Sequence, residues 1–243
     1  MSKIKDIIFE YLPTELKKQL LRGKISQGGD VFIFDEGLLE KLKIESYSQH
    51  AQDAFIFNLI FERSNKGFFL DIGANNPVIL NNTYLFELNG WTGMAFEPII
   101  SLAEKWKETR KTKCYNVAVG DWEGQVKFTE KDNKYFSCVS ENLDDKNGIN
   151  YMVPQIRLTD FLNRHGIKNI DVAFIDVESY EMNVLAGIDF AQTNITCICI
   201  ESSWGSSIRP RMDIRNFLIS RGYRLVARLT IDDVFIKQSY FEM

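Results

Sequence analysis

The stretch Gly67-Phe68-Phe69-Leu70-Asp71-Ile72-Gly73-Ala74-Asn75-Asn76-Pro77 decides how the rest of the chain is read. An apolar run ends on a carboxylate and a glycine turn follows at once. Next comes Asn82-Thr83-Tyr84-Leu85-Phe86-Glu87-Leu88, which has helical spacing and stops at Gly90. That order describes a buried strand, a sharp turn and a helix closed by a C-terminal glycine. In an open α/β sheet, such a turn lies at the carboxyl end of its strand, where small molecules bind. Asp71 is then expected in the crevice, with Gly73 letting the backbone approach its occupant.

A second apolar run, Trp91-Thr92-Gly93-Met94-Ala95-Phe96, also ends on a carboxylate, Glu97, and Pro98 suits the first turn of a following helix. An acidic residue at the end of a second strand is where the two hydroxyls of a ribose are held. Dinucleotides require G-x-G-x-x-G, but here Gly73 stands alone, with Asn75 and Pro77 where further glycines would be needed. No G-x-x-x-x-G-K-[ST] loop is present either. A nucleoside without phosphates fits best, and S-adenosylmethionine is the common one. Its cationic sulfonium agrees with a crevice lined by carboxylates.

The chain has 243 residues, 45% of them hydrophobic, enough to bury a core as one large domain. A formal net charge of −4 argues against a nucleic-acid partner. No apolar stretch is long enough to span a bilayer, and Lys3, Lys5 and Asp6 interrupt the first isoleucines, unlike a signal peptide. A cytoplasmic location is expected. Cys114, Cys138, Cys197 and Cys199 show neither metal-ligand nor disulfide spacing and read as buried, inert thiols.

Residues 1–45 read as an N-terminal helical appendage, broken near Pro13, that covers the domain or meets a second copy in a homodimer. Ser48-Gln49-His50-Ala51-Gln52-Asp53 leads into a helix through Phe61. Gln49 and Asp53 are candidates to face the cofactor, and helix capping is the other reading of Asp53. A helix over Ile99–Arg110 precedes a third strand, Lys113–Val119, where Asn116 and Ala118 are placed to receive an adenine ring. Val126–Thr129 and Tyr135–Val139 read as a hairpin, and Ser140–Tyr151 as a polar loop beside the crevice. Further strands, Ile170–Asp176 and Ile195–Glu201, again end on acids. A final pair, Tyr223–Leu229 and Val234–Lys237, closes the chain. Strands alternating with helices predict an α/β fold: a Rossmann-like, seven-stranded, mostly parallel sheet, helices on both faces, one antiparallel strand at the end.

Four strands thus end in acids: Asp71, Glu97, Asp176 and Glu201. Gathered at one sheet edge they repel one another unless a cation or shared protons relieve them. The sulfonium and ribose hydroxyls are one relief. Magnesium held by Asp176, Glu178 and Glu201 is another. Transfer of a methyl group to a hydroxyl needs the acceptor aligned and its proton removed, and Asp176 and Glu178 are placed to do this. His50 is a rival base, whereas His165 precedes a helix-ending glycine and reads as a helix C-terminal contact. Asn82 and Thr83, with the rings of Trp204, Tyr180 and Tyr135, are candidate acceptor contacts, core packing being the alternative for the aromatics.

Taken together, Asp71-Ile72-Gly73-Ala74-Asn75, Asn82-Thr83-Tyr84, Gly90-Trp91-Thr92-Gly93, Glu97-Pro98, Ala118-Val119-Gly120 and Ile175-Asp176-Val177-Glu178 with Glu181 resemble the FkbM-type methyltransferases. The upstream Ser48-Gln49 and Gln52-Asp53 pairs share the resemblance, which covers roughly residues 46–237. It implies a class I methyltransferase-like domain over 46–243. It also implies an S-adenosylmethionine-dependent O-methyltransferase acting on hydroxyls of sugars, glycans or polyketide-type metabolites. Asp71, Gly73, Ala74, Asn75 and Glu97 would then bind the cofactor, with Asp176 and Glu178 beside the reacting centre. The family usually has glycine after the Asp-x-Glu, and here Ser179 stands there, which bears on the backbone at Glu178. Two other readings remain: a nicotinamide-dependent oxidoreductase, opposed by the lone Gly73, and a cofactor-binding module without turnover, favoured by Ser179.

Overall fold

The structure is a computed structural model describing residues 31–32, 45–139, 148–203 and 209–241. The expected N-terminal helices, the polar loop as far as Asn147, and Trp204 with its loop lie outside the described residues. In chain order the strands are β1 (Val31–Phe32), β2 (Phe68–Ile72), β3 (Thr92–Phe96), β4 (Lys113–Tyr115), β5 (Ala118–Gly120), β6 (Gly124–Glu130), β7 (Cys138–Val139), β8 (Ile149–Arg157), β9 (Asn169–Ile175), β10 (Asn194–Glu201), β11 (Tyr223–Leu229) and β12 (Asp232–Lys237). The helices are α1 (Gln52–Phe55), which runs into a π-helical turn over Ile56–Ile60, α2 (Tyr84–Leu88), α3 (Ile100–Thr109), α4 (Leu158–Arg164), α5 (Glu181–Ala186) and α6 (Met212–Ser220). None of the described helices is long and apolar enough to cross a membrane.

The main sheet has the order β1-β11-β12-β10-β9-β2-β3-β4. It therefore holds eight strands rather than the expected seven, and it is mixed. Five of its seven neighbouring pairs are parallel, while β12 runs antiparallel to both β10 and β11. The extra member, β1, adds parallel to β11. From β2 the chain steps outward through β3 to β4, then returns to β9 on the other side of β2. The order reverses there, and ligands bind at such a switch point, outside the carboxyl ends of the strands.

The central strands are apolar on both faces because both are covered. Leu70, Ile72, Ala173, Ile175, Ile198 and Ile200 pack in one core with Val184, Leu185, Ile214 and Leu218 of α5 and α6. The alternate residues Phe69, Val172, Phe174, Cys197 and Cys199 pack in the other with Phe55, Ile56, Phe86 and Trp91. Cys197 and Cys199 share a face, as read from their spacing, and both are free and buried.

The expected third strand, Lys113–Val119, is two strands in two sheets. Its break is at Asn116, whose Nδ2 donates to the carbonyls of Glu97 (2.9 Å) and Pro98 (2.8 Å). β5 turns away into a second sheet, ordered β5-β8-β6-β7. The hairpin expected from Val126–Thr129 and Tyr135–Val139 is present as β6 and a shorter β7, in which Phe128 pairs with Val139. β8 has no counterpart among the expected strands. It carries Pro154, a residue confined to edges and bulges. Here β5 pairs only with Gln155–Arg157, so Pro154 has a partner strand on one side alone.

Candidate functional site

The turn after β2 is fixed from both sides. The backbone N–H groups of Gly73 and Ala74 both donate to the Phe96 carbonyl of β3, at 3.0 and 3.1 Å, and the Asp176 N–H donates to the Ile72 carbonyl at 3.0 Å. Gly73 has φ +83°, and a Cβ built there would lie 1.7 Å from the Asp176 carbonyl oxygen. Asn75, at φ +42°, occupies the left-handed region that asparagine tolerates best after glycine. This geometry brings the ends of β2, β3 and β9 together.

Asp71 and Glu97 are both buried at the lip of this turn. Asp71 Oδ2 accepts from Thr83 Oγ1 (2.6 Å) and Asn81 Nδ2 (3.2 Å). Glu97 accepts backbone N–H bonds from Asn75 on Oε2 (2.8 Å) and from Ile99 on Oε1 (2.7 Å). Burial raises the Asp71 carboxyl to about 6 against the pull of Thr83, Arg110 and Asn81. It raises Glu97 to about 7 against its two backbone donors.

Across the crevice Asp176, Glu178 and Glu201 follow β9 and end β10. Burial lifts Asp176 well above the usual carboxylate range, and Glu201, Asp232, Glu178 and Glu181 add to it. Burial and Glu181 bring Glu178 to about 7. Burial, with Glu178, Glu181 and Asp232, brings Glu201 to about 8. Asp232, beside Glu201 in the sheet register, is raised by burial to about 7 and accepts from Gln52 Nε2 at 2.6 Å. Glu181 is neutralised by Arg211 at 2.6 Å, and its Oε1 accepts the N–H groups of Ser179 (3.0 Å) and Val177 (3.3 Å). The backbone there is tightly kinked: Glu178 and Ser179 have φ +52° and +81°. Ser179 thus takes the left-handed conformation that glycine adopts most readily.

These raised carboxyls make stability depend on pH. Each is raised in the folded state above an unfolded value near 4, so its contribution is full below about 4 and lost as pH rises through the folded value. For Asp71, Glu97, Glu178, Asp232 and Glu201 those values run from about 6 to about 8. Thermal unfolding of the ligand-free protein is expected to show a Tm lower at pH 8.5 than at pH 6.5 by about 5 °C or more. A Tm that is flat or rises over this interval would show that the acids are solvated.

The cleft they border has a volume of about 490 Å³, within the usual range for small-molecule sites. Of the residues singled out in the sequence, Gln49, Asp71, Gly73, Ala74, Asn75, Asn82, Glu97, Ala118, Asp176, Glu178, Tyr180, Glu201 and Tyr135 line it. His50, Asp53, Thr83 and Asn116 do not. The Asp53 carboxylate is spent on Ser46 Oγ (2.6 Å), Ser48 Oγ (2.7 Å) and the N–H groups of Tyr47 and Ala54 (2.7 Å each). It pins the loop that carries Gln49. The Thr83 hydroxyl turns back to Asp71, and the Asn116 amide clamps the carbonyls that follow β3. His50, half-buried and held toward its neutral form by burial, donates its backbone N–H to Gln52 Oε1 at 2.8 Å. His165 stacks on Phe161 at the end of α4. No group of three or more His, Cys, Asp or Glu side chains among the described residues is arranged to hold a metal ion. The magnesium expected on Asp176, Glu178 and Glu201 is thus without a ligand set.

The sequence reading missed Leu80, Asn81, Phe136 and Ile231 on the cleft wall, and Gln52 and Asp232 behind it. Gln52 stood inside a quoted motif, and Asp232 was read only as part of a hairpin turn.

A family described as the Methyltransferase FkbM domain matches residues 71–225. The fold is similar to that of the crystal structure of Methyltransferase FkbM from Methylobacillus flagellatus KT. The likeness has a TM-score of 0.50 at 10% identity and covers 96% of this chain and 58% of that one. The chain therefore spans somewhat more than half the length of that protein, and at such identity the likeness is one of fold. No curated protein matches the sequence.

Proposed function

The chain belongs to the FkbM methyltransferase family, and on that premise we propose that it transfers a methyl group from S-adenosylmethionine to a hydroxyl of a sugar or glycan. The observation that carries this reading is that four strand-end carboxylates, Asp71, Glu97, Asp176 and Glu201, line one cleft. The residues fit the donor. Glu97 holds each oxygen by a single backbone N–H, which leaves lone pairs for the two hydroxyls of a ribose. Val117, Ala118 and Ile99 give an apolar wall for a purine. Asp71 supplies negative charge opposite a cation. When bound, the donor supplies a methyl group already activated for in-line displacement.

A hydroxyl is a weak nucleophile, so the chain has to align it and take its proton. The side chains of Asp176 and Glu178 make no hydrogen bond to other described residues. Their raised proton affinity suits a base working near neutrality. One of them takes the hydroxyl proton as the new C–O bond forms and the C–S bond breaks, then releases it to solvent. Asn82 Oδ1 is buried without a partner among the described residues and is free to accept from an acceptor hydroxyl. Gln49 adds an amide, and the rings of Tyr135 and Tyr180 offer flat faces of the kind that sugar rings stack on. A polyketide hydroxyl meets the same groups, and a glycan is favoured by the polar ones.

Titration calorimetry with S-adenosylmethionine tests the donor half. Asp71→Ala and Glu97→Ala are each expected to weaken binding by about 100-fold, as for loss of a buried, charged hydrogen-bonding group. Unchanged affinity in both variants would remove the donor from this cleft. Mass spectrometry of a glycan panel for one added methyl group tests the acceptor half.

A further inference from the structure

Behind the Asp71 turn lies a buried guanidinium that the cleft never sees. Arg110 follows α3, and its Nη1 donates to the carbonyl of Pro77 (2.7 Å) and to Asn81 Oδ1 (3.1 Å). Its Nη2 reaches the Thr83 carbonyl (3.3 Å) and Thr83 Oγ1 (3.4 Å). Its Nε lies 3.1 Å from Glu87 Oε1. The rings of Trp106 and Tyr84 lie 4.4 and 5.0 Å from it. Trp106 itself donates to the Asn75 carbonyl at 2.8 Å.

The polarity of these bonds leaves little choice. A guanidinium only donates. Asn81 Oδ1 receives Arg110 and the Thr83 N–H (3.0 Å), so the amide oxygen must face them. Asn81 Nδ2 is thereby turned toward Asp71 Oδ2 and the carbonyls of Ala74 (3.2 Å) and Asn76 (3.1 Å). Thr83 Oγ1 has Arg110 on one side as a donor, and its own hydrogen has two acceptors within reach, Asn81 Oδ1 at 3.1 Å and Asp71 Oδ2 at 2.6 Å, the shorter contact being to Asp71. Both hydrogen bonds to Asp71 therefore land on one oxygen. Oδ1 receives none from the described residues, in a side chain that lines the cleft.

We infer that Arg110 is a positioning residue of the donor site: it sets the direction of the Asn81 and Thr83 hydrogens and so holds Asp71 by one oxygen while the other meets the donor. The role in donor binding rests on the methyltransferase reading, but the link between Arg110 and Asp71 does not. The charge of Arg110 also favours the ionised form of Asp71. The other titratable groups that feel the Asp71 charge are Glu97 across the turn and the buried thiol of Cys114 on β4, while Glu87 and Tyr84 of α2 act on Arg110. Of these, Glu97 opposes ionisation, and burial holds Cys114 toward its protonated form.

Two measurements on the full chain separate the layers. Carboxyl-carbon NMR, with the signal assigned by its loss in Asp71→Asn, reads the titration of Asp71 without any ligand. Arg110→Met is expected to move that midpoint up from about 6 by about one pH unit or more. Arg110→Lys keeps the charge without the planar fork and is expected to hold the midpoint near wild type. In calorimetry from pH 5.5 to 8.5, Arg110→Met should weaken S-adenosylmethionine binding about tenfold at pH 7 and shift its acidic limb upward. Arg110→Lys should weaken it at every pH without that shift. If Arg110→Met does not fold, Thr83→Val, which deletes the shorter donor, should raise the same midpoint. A folded Arg110→Met or Thr83→Val protein with an unmoved Asp71 midpoint overturns the link. A midpoint that moves in the variants while the wild-type chain binds no S-adenosylmethionine keeps the link but overturns the methyltransferase reading and the part Arg110 plays in it.

Discussion

Asp176→Asn is expected to bind S-adenosylmethionine within about threefold of wild type and to lose turnover by roughly 10²–10⁴-fold, the range for removal of a general base. Asparagine keeps the shape of the side chain, but its amide oxygen is too weak a base to take a proton. The backbone N–H of residue 176 still reaches the Ile72 carbonyl, so the floor of the cleft survives the change. The substitution also removes one of several mutually repelling acids, whose own value burial and Glu201 raise. Stability should therefore hold or improve, which separates a chemical defect from a folding one. Single-turnover rates with a responsive glycan, beside calorimetry on the same preparation, make the comparison. Turnover within tenfold of wild type would assign the proton to Glu178 instead.

Gly73→Ala is expected to be the most damaging single methyl group in the chain. A Cβ there would meet the Asp176 carbonyl oxygen at 1.7 Å and its carbonyl carbon at 2.8 Å, on a backbone at φ +83°. The obstacle is main chain, held by its own hydrogen bond between β9 and β2, so it has no rotamer by which to yield. A loss of about 4 kcal/mol or more is expected, with donor binding gone, since overpacking and left-handed strain act together. Gly222→Ala supplies the contrast. Its φ is +81°, yet nothing lies within 4 Å of a Cβ there, so only the backbone preference is lost, about 1–2 kcal/mol. Denaturant midpoints for the two variants measure the difference. Equal losses would mean that the strand ends stand further apart than described.

The acids at the strand ends were legible because each terminates an apolar run: Asp71, Glu97, Asp176 and Glu201 mark where buried chain emerges. The switch from strand to helix after each of them gave the α/β alternation. What the sequence hides is direction. Asp53 opens α1 and Gln49 sits in the loop just before it, yet the first faces inward to serines and backbone while the second faces the cleft. A helix start and a ligand contact call for the same residue types. Thr83 is next to Asn82, but its hydroxyl is drawn back by a buried carboxylate. β8 escaped notice because Pro154 breaks the expected strand pattern, and only the limited reach of β5 makes that proline harmless. β1 is two residues long, too short to carry a period. Arg110 reads as the last residue of a helix, since its partners come from Pro77, Asn81, Thr83 and Glu87, more than twenty residues earlier.

The kink at Glu178 and Ser179 has a further effect on how the site can drift over evolutionary time. Glu181 accepts the N–H groups of Val177 and Ser179, on either side of Glu178, and is in turn tethered to Arg211, just ahead of α6. The path of the backbone at Glu178 is thus inherited from a residue about thirty positions away that does not line the cleft. Lineages that explore new acceptors by varying the cleft walls can do so freely only while that distant anchor stays put. A survey restricted to cleft-lining side chains would overlook the residue that most constrains them.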